Sequence, residues 1–160
     1  MIPSFREILE LLNKHEVEYI VVGGVAAVIQ GAPITTFDLD ALVRISDDNA
    51  SRLSLALDDL EAHYREHQST IKPTQEDILA GGQLLLLTRA GPLDVLGFIG
   101  DNDRYEDLVH LSSEVAMTIG RFRVLDLEEL IRQKKATDRP KDRAVIELLE
   151  EALRHKKQND

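Results

Sequence analysis

Hydrophobic residues recur at two periods along the chain, and the places where the period changes mark the elements. Between residues 3 and 15, Phe5, Ile8, Leu9, Leu11 and Leu12 fall on one helical face. Ser4, with Glu7 three residues later, supplies a capping box for that helix. Residues 18–22 are β-branched and aromatic, which predicts a strand. Gly23-Gly24 breaks it, residues 25–30 predict a short helix ended by Gly31, and Pro33 bars continuation. Residues 35–44 read as a second strand, with Asp38, Asp40 and Leu42 on one face and Leu39 and Val43 on the other. A long helix over 47–64 follows, capped by Ser46 or Asp47 and lined by Leu53, Ala56, Leu57 and Leu60.

The second half alternates more quickly. Residues 66–73 are weakly patterned, a short strand and a turn. Thr74 and Asp77 then cap one or two helical turns reaching residue 80. Four consecutive leucines within 83–88, flanked by Gly81-Gly82, predict a buried strand. Residues 93–99 predict its hairpin partner through Ala90-Gly91-Pro92. Residues 105–111 read as a short helix or turn, and 115–119 with 122–125 as a second hairpin through Gly120-Arg121. Asp126, with Glu129 three residues on, caps a helix over 127–136. Pro140 opens a final helix to about residue 153, and residues 155–160 are expected to fray. This order predicts an α/β (α+β) fold over residues 1–160: one domain with a mixed sheet and flanking helices.

The 160 residues, 43% of them hydrophobic, suffice for one real core. No apolar run approaches the roughly 20 residues that a membrane helix needs. There are no cysteines, so neither disulfides nor thiolate metal sites arise, and a cytoplasmic protein is the default. The net charge of −10 is uneven: the first 120 residues carry −12, whereas residues 121–143 carry +3. That balance argues against broad nucleic-acid binding and leaves a local basic patch for a phosphorylated ligand.

The chemistry concentrates in the aspartates. Asp38 and Asp40, two residues apart on an expected strand, would point the same way. Such a pair is either the polar face of an edge strand or a site for a hard divalent ion. Asp94, inside the apolar run Leu93-Asp94-Val95, needs a partner of its own, either a cation or a donor network. Three aspartates on neighbouring strands could hold two metals about 4 Å apart, as in in-line phosphoryl or nucleotidyl displacement. Gly23-Gly24 would let a backbone approach phosphate closely, or would simply form a tight turn. Lys134 and Arg139 read on their own as solvated, or as paired with Glu129 or Asp138. His15, His63, His67, His110 and His155 lack ligand-like spacing and read as surface residues, which ranks a histidine-assisted phosphohydrolase last.

The stretch V-V-G-G-V-A-A-V-I-Q-G-A-P-I-T-T-F-D-L-D resembles the signature of the DNA polymerase beta-type nucleotidyltransferase superfamily. Within it, the chain is most similar to a small bacterial branch related to abortive-infection nucleotidyltransferase toxins. The segment L-E-E-L-I-R-Q-K-K-A-T-D-R-P-K-D resembles that branch's second motif. The resemblance implies a metal-binding and catalytic triad of Asp38, Asp40 and Asp94, with Mg²⁺ or Mn²⁺ as cofactor. It implies nucleotide contacts from Gly23, Gly24, Thr36, Lys134, Arg139 and Lys141, with Asp142 completing the lysine–aspartate pair. Two positions depart from the pattern. Ile34 stands where relatives usually keep an arginine, and Arg143-Ala144-Val145 where they often carry another aspartate.

Taken with the resemblance, the expected function is Mg²⁺-dependent transfer of a nucleoside monophosphate from an NTP to an acceptor. The acceptor would be a small molecule, an RNA end or a protein, held on the final helices or across a homodimer interface. The alternative is a non-catalytic protein of the same fold, such as a toxin–antitoxin component with a protein partner encoded nearby.

Overall fold

The computed structural model describes residues 4–66 and 70–159. Helix α1 (Phe5–Lys14) starts where Ser4 Oγ accepts from the Glu7 amide, and it buries Ile8, Leu9 and Leu12. Strand β1 (Tyr19–Val22) leads directly into α2 (Gly23–Ile29), so the glycine pair forms the helix's first turn rather than a break before it. Strand β2 (Leu39–Val43) is shorter than expected, and Asp38 precedes it. Asp38 and Asp40 therefore do not owe their proximity to strand alternation. Phe37 is exposed and gives the pair no apolar cover.

Helix α3 (Asp47–Asp59) is capped by Ser46 and ends five residues early. Leu60 and Ala62 are both buried, and Glu61 between them adopts φ +54°, which turns the chain back. His63 and Tyr64, expected in the helix, form the edge strand β3 (His63–Tyr64) instead. The expected His67 and part of the weakly patterned 66–73 segment lie outside the described residues. Helix α4 (Gln75–Leu79) carries the expected Thr74–Asp77 capping box.

Strands β4 (Gln83–Thr88) and β5 (Gly91–Leu96) form the expected hairpin, but its turn is Arg89-Ala90. Thr88 Oγ1 donates to the Gly91 carbonyl at 2.7 Å and accepts from the Ala90 amide at 3.0 Å, which closes the turn one residue early. Helix α5 (Tyr105–Leu108) continues as a 3-10 turn. Strands β6 (Ser112–Met117) and β7 (Gly120–Leu125) pair through Thr118-Ile119, with Gly120 at φ +117°. Helix α6 (Leu127–Thr137) begins at Asp126, but that carboxylate accepts from Ser113 Oγ at 2.6 Å and makes no cap bond. Helix α7 (Pro140–Gln158) runs past its expected end. Buried Leu149 and Ala152 anchor it, and Lys156 Nζ donates to Gln30 Oε1 at 3.2 Å.

All seven strands join one mixed sheet of order β3-β4-β5-β2-β1-β7-β6. The pairs β1/β7 and β2/β5 are parallel, and the others are antiparallel. Every residue of β1 is buried, which requires cover on both faces of the sheet. Helices α1, α3 and α4 pack as one group, and α2, α6 and α7 as another. Leu39, Leu42, Leu53 and Leu93 are fully buried, each contributing about 1.5–3 kcal/mol. Among the described residues no helix is long and apolar enough to cross a membrane.

Candidate functional site

The strand-to-helix junction between β1 and α2 fixes the site's floor. Gly23 sits at φ +66°, and a Cβ there would collide with Asp40 Oδ2. A Cβ on Gly24 would lie 2.6 Å from Thr36 Oγ1. Both glycines are thus required by side chains lying against the backbone, in addition to the positive φ at the first. Thr36 Oγ1 also donates to the Asp38 carbonyl at 3.3 Å, tying together the irregular segment before β2.

Asp40 and Asp94 are register partners on the parallel strands β2 and β5. Burial, and then the charge of Asp94 and a shared hydrogen bond with it, push the Asp40 carboxyl up to about 7; Asp38 adds to this and Arg65 opposes it. Asp38 is more exposed, at 45% of its side chain. Arg65, which follows β3, faces the group: its Nη2 donates to Asp94 Oδ1 at 2.6 Å, and its Nη1 lies 4.0 Å from Asp38 Oδ2. Among the described residues, no three His, Asp or Glu side chains stand ready to cage a metal. The three expected carboxylates are nonetheless gathered at one place.

A cavity of about 190 Å³ opens beside Asp40 and Gly23, and its walls include Gln133, Lys134, Thr137 and Arg139 from the α6–α7 corner. The chain turns that corner with Asp138 at φ +46°, and Pro140 begins α7. Asp142 holds the corner's cations. Arg139 Nε donates to its Oδ2 at 2.9 Å, Lys134 Nζ lies 3.6 Å from its Oδ1, and Thr137 Oγ1 donates at 3.2 Å. Burial opposes ionisation of Asp142, but these partners outweigh it and hold the carboxyl below its ordinary value. Lys134 and Arg139 therefore pair with Asp142, rather than with Glu129 or Asp138. Lys141 is exposed and does not line the cavity. Ile34 packs partly buried against the core.

Sequence reasoning missed Arg65, Gln133 and Thr137. Asp94's need for a cation or donor network was readable, but its supplier was hidden by reading residues 47–64 as one helix. Gln133 and Thr137 carried no signal of their own.

No family model matches the chain, and no curated protein matches it in sequence. Solved structures do match in shape. The lincosamide antibiotic adenylyltransferase LnuA, solved with lincomycin bound, superposes with a TM-score of 0.63 at 14% identity, covering 94% of this chain and 98% of that one. A candidate nucleotidyltransferase from Thermotoga maritima superposes with a TM-score of 0.53 at 16% identity, covering 94% and 91%. The chain has a nucleotidyltransferase-like fold.

Proposed function

We propose that the chain is a nucleotidyltransferase that uses Mg²⁺ or Mn²⁺ to move a nucleoside monophosphate from an NTP to an acceptor. The observation that carries this reading is one cavity with Asp40 and Gly23 on one wall and Lys134 and Arg139 on the other. Asp94 stands in register beside Asp40. Carboxylate pressed against carboxylate on one side, and cations on the other, match a metal-and-polyphosphate ligand better than either component alone.

The donor set fits a hard divalent ion. All three candidates offer carboxylate oxygens, and crowding with Asp94 already penalises ionisation of Asp40. Asp40 and Asp94 would hold the ion, with Asp38 adding a further oxygen. Such an ion supplies positive charge to the reacting phosphate and the leaving pyrophosphate. Lys134 and Arg139 would neutralise phosphate charge while Asp142 fixes where those cations stand. Gly23 and Gly24 would leave backbone free of side chains where phosphate approaches, and Thr36 would brace Gly24. Asp94 would take the proton from the acceptor's hydroxyl or amine. Lys141 would serve only the outer rim.

Incubating the protein with Mg²⁺, an α-labelled NTP and a panel of acceptors tests this directly. Label should move to an acceptor, and Asp40→Asn or Asp94→Asn should each lower transfer by about 100-fold or more. Transfer that survives both substitutions would overturn the reading.

Ile34 favours a second reading. Where the sequence resemblance implies an arginine, this chain has an apolar residue packed on the core, as expected of a binding protein that has lost phosphate contacts. Such a protein, for instance in a toxin–antitoxin pair, would give no heat with Mg²⁺ and any NTP and would bind the product of a neighbouring gene instead.

A further inference from the structure

Arg65 is the one basic residue, among those described, that forms ion pairs with the site's aspartates, reaching Asp94 and Asp38. Its Nη2 donates both to Asp94 Oδ1 at 2.6 Å and to the Leu86 carbonyl at 3.0 Å. Its Nη1 stands 4.0 Å from Asp38 Oδ2. A guanidinium satisfied in full would use all five donors, yet here Nε is buried without a partner. The arrangement therefore serves the carboxylates at the expense of the arginine's own hydrogen bonding.

The position in the chain matters as much as the contacts. Arg65 follows the two-residue edge strand β3, and its amide donates to the Leu85 carbonyl at 3.0 Å. Leu85 is in turn the register partner of Asp94 on β5. The backbone of Arg65 is thus pinned one strand away from Asp94, within side-chain reach, while its side chain remains 31% exposed toward solvent. Lys134 and Arg139 cannot play this part, because both are held by Asp142 across the cavity.

We propose that Arg65 is a built-in counter-cation that competes with a divalent metal ion for Asp94 and Asp38. In the metal-free protein the guanidinium neutralises Asp94 and Asp38, and occupies Asp94 Oδ1 beside Asp40. When an ion binds, Nη2 releases Asp94 Oδ1, and the guanidinium turns to solvent or to the incoming phosphate. This rests on the carboxylates being a metal site, as the proposed function requires. It adds that the site is self-blocked at rest, which sets the metal concentration at which it fills.

Two measurements test it without using activity. Isothermal titration with Mn²⁺ compares the wild type with Arg65→Gln and Arg65→Lys. Removing the charge should tighten Mn²⁺ binding by about tenfold, and lysine should fall between, because one competing charge is lost or weakened. Thermal melts confirm that each variant is folded. The second measurement keeps the native chain: on Mg²⁺ titration, the side-chain Nε–H signal of Arg65 in an NMR spectrum should shift in step with metal binding. Equal or weaker Mn²⁺ binding by Arg65→Gln, or an Arg65 signal that stays still while metal binds, overturns the proposal. Wild-type transfer combined with either result leaves the nucleotidyltransferase reading standing. Absence of Mn²⁺ binding in all three proteins removes both.

Discussion

Asp40 and Asp94 face each other across the parallel pair β2/β5, and that register makes one carboxyl the main charge neighbour of the other. Burial and Asp94 raise Asp40 from 3.8 to about 7 in the folded protein. A raised acid favours the folded state at low pH, and that contribution is lost as pH rises through about 7. Asparagine cannot ionise and escapes the loss. In chelator, Asp40→Asn should therefore gain stability over the wild type as pH rises from 4 to 8, on the order of 2 kcal/mol at the upper end. Urea midpoints across that range check it, and an advantage that does not grow with pH would contradict the assigned cause. The same substitution should abolish transfer, so stability and function pull in opposite directions at this residue.

Gly23 ties the backbone to that pair. Its φ of +66° is costly for any residue with a Cβ, and the Cβ would collide with Asp40 Oδ2. Gly23→Ala should cost about 1–3 kcal/mol in a urea melt and displace the Asp40 carboxylate. It should also weaken Mn²⁺ binding. Gly31, at φ +98° with open space around it, is the control: alanine there should bring strain but leave Mn²⁺ binding unchanged.

Lys134 lines the cavity, whereas Lys141, seven residues on, does not. Lys134→Ala should raise the KM for NTP about tenfold with a smaller effect on kcat, as expected when a ground-state phosphate contact is lost. Lys141→Ala should change either constant less than twofold. Steady-state kinetics on the two variants separate the corner that faces the cavity from the one that faces solvent.

The mixed α/β architecture was readable because hydrophobic period, glycine pairs and caps agreed along most of the chain. The Thr74–Asp77 box and Pro140 at the start of α7 stand where the sequence put them, and the β4/β5 hairpin forms with its turn one residue early. What failed was tertiary. Nothing local marks Glu61 as left-handed, so the sequence predicts a helix through His63 and Tyr64 where the structure has β3. Arg65 then had no visible route to Asp94, because only the strand order β3-β4-β5 brings it near. Asp126 shows the same limit on a smaller scale: a good cap residue is taken by Ser113 from a neighbouring strand.

Glu129 gives a pH prediction outside the cavity. It is buried in the first turn of α6, and Arg132 Nε donates to both of its oxygens, at 2.9 and 3.1 Å. Gln133, which lines the cavity, donates to it at 3.2 Å. The hydrogen bonds from Arg132 lower its carboxyl below the ordinary 4.5; burial opposes them, and Gln133 adds to the lowering. A lowered acid contributes stability above its unfolded value, and that contribution is lost as pH falls through the folded one. Glu129 should thus support the fold fully at neutral pH and progressively less below about 4.5. Glu129→Gln should cost about 1–2 kcal/mol at pH 7, since a charge-assisted pair is replaced by neutral hydrogen bonds. The cost should shrink as pH falls below the ordinary 4.5 and the wild-type carboxyl takes up its proton. Urea melts along a series from pH 7 down into acid decide the matter: a cost that stays level throughout would mean that Glu129 acts through packing alone. Because Gln133 hangs on the same carboxylate, Glu129→Gln should also raise the KM for NTP, which a purely structural acid would leave unchanged.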